Sequence, residues 1–264
     1  MLSIFTLTVL RLQRRNYDRM KKMRFLFKSQ PYAGQGTLQK AEEKPTYLER
    51  LARYGVNGAH PGGLNLTRLL LRSENPGATD VVLDVGCGVG QTAAYLGQHY
   101  PCKITAVDIN PQMVALARQK FARMQLNINL QQADATALPL RGKSVDIVLS
   151  ESVTVFTPIP TALNEYYRVL KPGGRLLAIE VTADKPLAAA ELNVVQQILG
   201  ITQIPTPELW RQMFTNAGFT TVQVLARAKI NPTGLNSYRH FRDYHLLMLK
   251  YNAKLQYAVF RCQK

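Results

Sequence analysis

The apolar positions of this chain follow two periods. Short unbroken runs of the kind that form buried parallel strands recur at residues 81–85, 104–108, 128–131, 145–149 and 175–181. Between them, apolar residues spaced three and four apart predict helices over 91–98, 112–124 and 160–170. Asn110 and Pro111 read as an N-cap followed by proline in the first helical turn. Upstream, Tyr47, Leu48, Leu51 and Tyr54 predict a helix behind Pro45, and residues 64–72 predict a second, stopped by Asn75-Pro76-Gly77. Downstream come a helix over 206–217, a strand over 220–226, a mainly helical stretch over 233–250 and a last strand over 255–262. Residues 182–205 form a partly helical cap between the fifth strand and the next helix.

Strands that alternate with helices predict an α/β fold, a doubly wound, mostly parallel sheet of seven strands with helices on both faces. The final strand is expected to pair antiparallel at the sheet edge. Residues 29–80 are expected to form a leader and a helical lid, and residues 81–264 the main domain. Trp210 and Phe214, four apart on one helix, are expected to be core.

The most informative stretch is 81–92, where a buried strand runs into Gly86-Cys87-Gly88-Val89-Gly90 and then opens a helix. Glycines there permit positive φ and a close approach of backbone to ligand, and a helix start offers free N–H groups. Ligands of open α/β sheets bind beyond the carboxyl ends of the strands. Asp84 and the glycine turn, Asp108 after the second strand, Asp134-Ala135 after the third and Ser150-Glu151 after the fourth all fall there. An acid after the second strand suits the two hydroxyls of a ribose. A dinucleotide fingerprint would place its third glycine at position 91, where this chain has Gln91; its third glycine comes one residue early. Asp84 beside the turn would repel a pyrophosphate. A nucleoside-type cofactor without phosphates fits better.

The segments VLDVGCGVGQT, ITAVDINPQMVALAR, QQADATALPL, VDIVLS and EYYRVLKPGGRLL stand in this order across residues 81–181. Together they resemble the class I S-adenosylmethionine (SAM) dependent methyltransferases, and within them the small-molecule branch that includes the ubiquinone and menaquinone C-methyltransferases. The resemblance implies a Rossmann-like fold with SAM as cofactor. Gly86, Gly88 and Gly90 would pass under its methionine part, with Asp84 near the ammonium and the Ser150 backbone alongside. Asp108 would bind the ribose, Ile109 and Met113 would pack near the adenine, and Asp134 with the Ala135 N–H would contact the ring. The competing reading of Asp84, Asp108 and Asp134 is a turn-capping carboxylate.

A sulfonium-bound methyl is already activated, so positioning can supply most of the acceleration. A base is needed only if the acceptor must lose a proton. The sequence offers His60, ahead of Pro61-Gly62-Gly63, and Glu151; the alternatives are a lid-shaping turn histidine and a structural carboxylate. Tyr32 and Tyr54 could line an apolar acceptor pocket. The fourth strand is not followed by the N/D-P-P-Y element of nucleic-acid amino-methylating enzymes, nor is there a Pro-Cys pair for cytosine chemistry. A small-molecule acceptor is therefore expected, with an RNA or protein methyltransferase, or a non-catalytic SAM- or nucleoside-binding regulator, as alternatives.

Charge adds one qualification. Of a net +16, residues 1–28 and 225–264 each carry +7, leaving +2 for the middle. Basic ends can favour RNA or an anionic membrane, or be solvated surface. Residues 1–28 are set aside as a basic, disordered extension, with Met20 or Met23 as alternative starts. Three scattered cysteines have no metal-ligand spacing, which suggests a reduced, cytoplasmic protein without a metal site. Cys87 is expected to pack rather than to react.

Overall fold

A computed structural model describes residues 45–56, 58–230 and 239–264. The extension 1–28, the leader 29–44 with Tyr32, and residues 231–238 of the expected helix lie outside the described residues. The chain enters with α1 (Tyr47–Arg53) and α2 (Gly63–Glu74). It continues β1 (Val81–Val85), α3 (Gln91–His99), β2 (Lys103–Asp108), α4 (Pro111–Arg123), β3 (Asn129–Gln132) and β4 (Val145–Glu151). A 3-10 turn (Thr154–Phe156) leads to α5 (Ile159–Val169), β5 (Leu170–Ala183), α6 (Ala189–Leu199), α7 (Pro207–Asn216) and β6 (Thr221–Lys229). A second 3-10 turn (Arg239–Phe241), α8 (Arg242–Tyr251) and β7 (Leu255–Gln263) complete it.

Local chemistry explains the boundaries. Thr46 and Glu49 form a reciprocal capping box on α1. Asn110 Oδ1 accepts from the N–H groups of Gln112 and Met113, and Pro111 opens α4 as its sequence predicts. Residues 171–174 are carried within β5 as a bulge. The register passes from Val145↔Leu170 to Ile147↔Arg175, and Gly173 takes φ +77°.

The strand order is β3-β2-β1-β4-β5-β7-β6. β1 to β5 are parallel, and β7 runs antiparallel to both neighbours. The expected antiparallel strand is therefore present but sits one place in from the edge, which β6 forms. β1 crosses to β2 in one direction and β4 to β5 in the other. Right-handed crossovers then put their helices on opposite faces of the sheet, and the switch point falls between β1 and β4. Helices α1, α6 and α8 pack together and line one wall of the cavity over the strand ends. The cap expected at 182–205 is represented by α6. Trp210 and Phe214 are fully buried and stacked on each other.

One buried group on β5 adds a pH-dependent part to the stability. Glu180 on β5 is 0% exposed; its Oε1 accepts from Ser150 Oγ at 3.2 Å and from the Thr154 N–H at 3.2 Å, while Oε2 has no partner among the described residues. Burial pushes this carboxyl up to about 7 from 4.5. The folded chain therefore keeps a proton that the unfolded chain releases, and stability falls as pH rises across that window, by on the order of 3 kcal/mol. Urea unfolding from pH 5 to 8 should show this slope. Glu180→Gln should remove that part of it, leaving the variant relatively more stable above pH 7; equal slopes would contradict the assignment.

Candidate active site

Each glycine of the turn after β1 answers a different need. A Cβ on Gly86 would overlap the methyl groups of Val153. Val153 is held there by a sharp bend after β4, where Ser152 adopts φ +59°. Gly90, at φ +75°, faces the ring of Phe121, which lies 2.5 Å from where a Cβ would sit. Gly88, at φ +54°, has no heavy atom within 4 Å of that position. Its backbone is bare toward a cavity of about 600 Å³.

Two acids hold this turn. Asp108 Oδ2 accepts from Gly88 N–H at 2.8 Å and Oδ1 from Asn110 N–H at 2.9 Å. Burial raises this carboxyl, and the two donors partly oppose the shift. Asp84 is buried, and its Oδ2 has no hydrogen-bond partner among the described residues. Burial pushes the Asp84 carboxyl well above the ordinary carboxylate range, and the nearby charges of Glu151 and Asp108 push it further. Burial likewise pushes the Cys87 thiol up, which suits a packing role.

The cavity opens over the carboxyl ends of β1, β2 and β4. Asp84, Gly86, Gly88 and Asp108 line it, as do Ile109, Met113, Asp134 and Ala135. Ile109 is 61% exposed, an apolar side chain facing the cavity without cover. Asp134 does cap its own turn, accepting from Thr136 N–H at 2.8 Å, yet stands at the cavity wall as well. Gly90 is not a lining residue; it lets α3 and α4 approach. Ser150 is not one either: it is fully buried, and its hydroxyl bonds Thr154 Oγ1 at 2.8 Å and Glu180. Glu151, Ser152 and Val153 line the cavity at the end of β4.

The opposite wall is apolar and aromatic, from Tyr47, Leu51, Phe156, Ile201, Tyr244 and Met248. Burial raises the phenols of Tyr47 and Tyr244, whose rings stack at 5.3 Å. The contribution of α8 is new. Its apolar stripe of Tyr244, Leu247, Met248 and Tyr251 was visible as periodicity, but the pattern does not say what it covers. Tyr54 does not line the cavity; it stacks on the His240 ring with centroids 4.2 Å apart.

Between the two walls, His60 and Glu151 meet. His60 Nε2 is 3.6 Å from Glu151 Oε2. Glu151 Oε1 accepts from Thr67 Oγ1 and Oε2 from Thr92 Oγ1, each at 2.6 Å. Thr67 Oγ1 is also 3.3 Å from His60 Nε2, and His60 Nδ1 is 3.2 Å from the Pro61 carbonyl. Neither threonine stands out in the sequence. The one available signal was a polar residue, Thr67, on the otherwise apolar face of α2.

A family model described as a methyltransferase domain matches residues 83–178. The uncharacterized methyltransferase YodH of Bacillus subtilis (strain 168) is 39% identical over 180 residues, covering 68% of this chain and 77% of that protein. Among solved structures, Haemonchus contortus phosphoethanolamine N-methyltransferase 2 in complex with S-adenosyl-L-methionine gives a TM-score of 0.66 at 18% identity, over 80% of this chain and 55% of that one. The [4+2]-cyclase SpnF gives 0.65 at 21% identity, over 81% and 90%. The chain belongs to the class I SAM-dependent methyltransferases. Its cofactor is S-adenosyl-L-methionine. Among the described residues no helix is long and apolar enough to cross a membrane.

Gly90→Ala combines left-handed backbone with a forced contact on Phe121. It should destabilise the fold by roughly 2–4 kcal/mol in denaturant titration. A loss under about 1 kcal/mol would mean that the ring moves aside freely.

Proposed function

We propose that this enzyme methylates a small, largely apolar acceptor, and that His60, backed by Glu151, takes the proton the acceptor loses. The observation that carries this reading is the meeting of these two side chains at the cavity, between the glycine turn and the aromatic wall. When bound, SAM supplies a methyl group on a sulfonium, and the displaced bonding pair returns to sulfur.

The residues present fit the cofactor. Gly88 offers bare backbone, Asp84 a buried oxygen without a partner, and Ile109 an uncovered apolar side chain. On this reading Gly86 and Gly88 would hold the methionine part and Asp84 its ammonium. Asp108 would hold the ribose, and Ile109, Met113, Asp134 and Ala135 the adenine. Asp108 can do this only with the lone pairs left by Gly88 and Asn110, which fix its carboxylate in place. Glu151 stabilises the imidazolium that forms on His60 and orients the ring, as a carboxylate does beside a catalytic histidine elsewhere. The apolar wall excludes water and favours a flat or aliphatic acceptor over a nucleic-acid backbone. The match to a [4+2]-cyclase is a reminder that this fold hosts other chemistry, so turnover is the deciding measurement.

Labelled-methyl transfer should be screened over phenols, quinols, thiols, amines, arsenite and RNA. Label in RNA alone would overturn the small-molecule reading. On the acceptor found, His60→Gln should lower turnover by about 10²–10⁴ with SAM affinity unchanged. Full turnover in that variant would remove His60 as the base.

Calorimetry tests the cofactor side. Asp108→Ala should weaken SAM binding about tenfold or more. A bound ammonium favours ionised Asp84, whose carboxyl is raised by burial. Affinity should therefore tighten as pH rises. Asp84→Asn should bind more weakly with that dependence gone; an unchanged pH profile would contradict the pairing.

A further inference from the structure

The aromatic wall of the cavity carries two phenols at places where phenylalanine would pack as well. Tyr47 on α1 and Tyr244 on α8 stack at 5.3 Å with their planes 18° apart. Tyr47 also stacks on Phe156 at 6.1 Å and meets Phe241 edge-on at 6.0 Å. Its ring is therefore held by three others, two of them phenylalanines. The two tyrosines are only 5% and 9% exposed, and both line the cavity. Among the described residues neither hydroxyl has a hydrogen-bond partner. These oxygens are not sealed in either: the enclosed unpartnered atoms include Asp84 Oδ2 and the Tyr166 hydroxyl but not the hydroxyls of Tyr47 and Tyr244. A hydroxyl without a partner in an apolar wall is costly, and a phenylalanine at the same place would avoid that cost. The molecule that fills the cavity is left to supply the partner.

The surroundings narrow its chemistry. Burial raises both phenols, Tyr244 to about 12, so each keeps its proton and can donate it. None of the described residues lining the cavity is lysine or arginine, which disfavours an anionic group. Tyr47 and Tyr244 turn their ring faces to each other, so they do not offer the open face that holds a cation. A neutral oxygen with lone pairs remains. We propose that the Tyr47 and Tyr244 hydroxyls form a polar anchor in the acceptor half of the cavity, which recognises an apolar acceptor through a carbonyl or ether oxygen. The inference rests on the reading of this cavity as the place of an apolar acceptor; it does not depend on His60 as the base. The anchor fixes one end of the acceptor against α1 and α8, and it selects oxygenated acceptors over apolar ones of the same shape.

The test is calorimetry of the full chain saturated with S-adenosylhomocysteine, titrated with 1-indanone and with indane, which share a carbon frame and differ by the carbonyl oxygen. Exchanging both tyrosines, Tyr47→Phe with Tyr244→Phe, should weaken 1-indanone binding about tenfold and leave indane within about twofold. Should the double variant not fold, each single exchange should weaken 1-indanone about threefold. A 1-indanone affinity untouched by loss of the hydroxyls, or an equal loss for both probes, would overturn the proposal while leaving the apolar reading of the cavity in place. Failure of the wild type to bind either probe would overturn both. On the acceptor found by the screen, the double variant should raise KM about tenfold with kcat within about threefold. A fall in kcat at unchanged KM would count against an anchoring role.

Discussion

The Glu151 carboxylate is gripped by two threonine hydroxyls from different parts of the chain, Thr67 on α2 and Thr92 on α3. A half-buried carboxylate at a strand end is costly unless its oxygens have donors. Meeting that need ties three pieces together: the helix that follows the 58–62 loop, the helix that opens from the glycine turn, and the end of β4. His60 is brought to the cavity as part of the same set. Break the grip, and both His60 and the relation between the two cavity walls lose their reference point. The site is therefore held together by polar contacts, while the sheet beneath it is held by burial.

The same region concentrates negative charge. Asp84, Asp108 and Glu151 all approach the switch point, and the carboxyls of Asp84 and Asp108 are raised, chiefly by burial. A cofactor that brings a sulfonium and an ammonium relieves a strain that the empty arrangement carries.

Much of this was legible in the sequence because it rests on short-range patterns. The turn glycines, the Asn110-Pro111 cap and the acids after β1 and β2 depend on neighbours in the chain. So does the division between buried runs and amphipathic helices. What sequence alone misplaced depends on contacts between distant segments. The pattern did not show where the Ser150 side chain goes: side chains alternate along β4, and its hydroxyl points to Thr154 and Glu180. Gly90 belongs to the same glycine series as Gly88, yet only the position of Phe121 reveals that it serves helix packing. Thr67 and Thr92 are common residues at unremarkable positions until the fold sets both against Glu151.

The place of β7 has a consequence for how the chain is made. Its residues pair with β5 on one side and β6 on the other along nearly its whole length. Until the segment Leu255–Gln263 arrives, β6 has no partner in the sheet and β5 shows a bare edge to water. A ribosome completes the other six strands first, so the nascent chain carries these two unpaired edges from the completion of β6 until β7 emerges. β7 is the strand that joins β6 to the rest of the sheet, and cooperative folding waits on it.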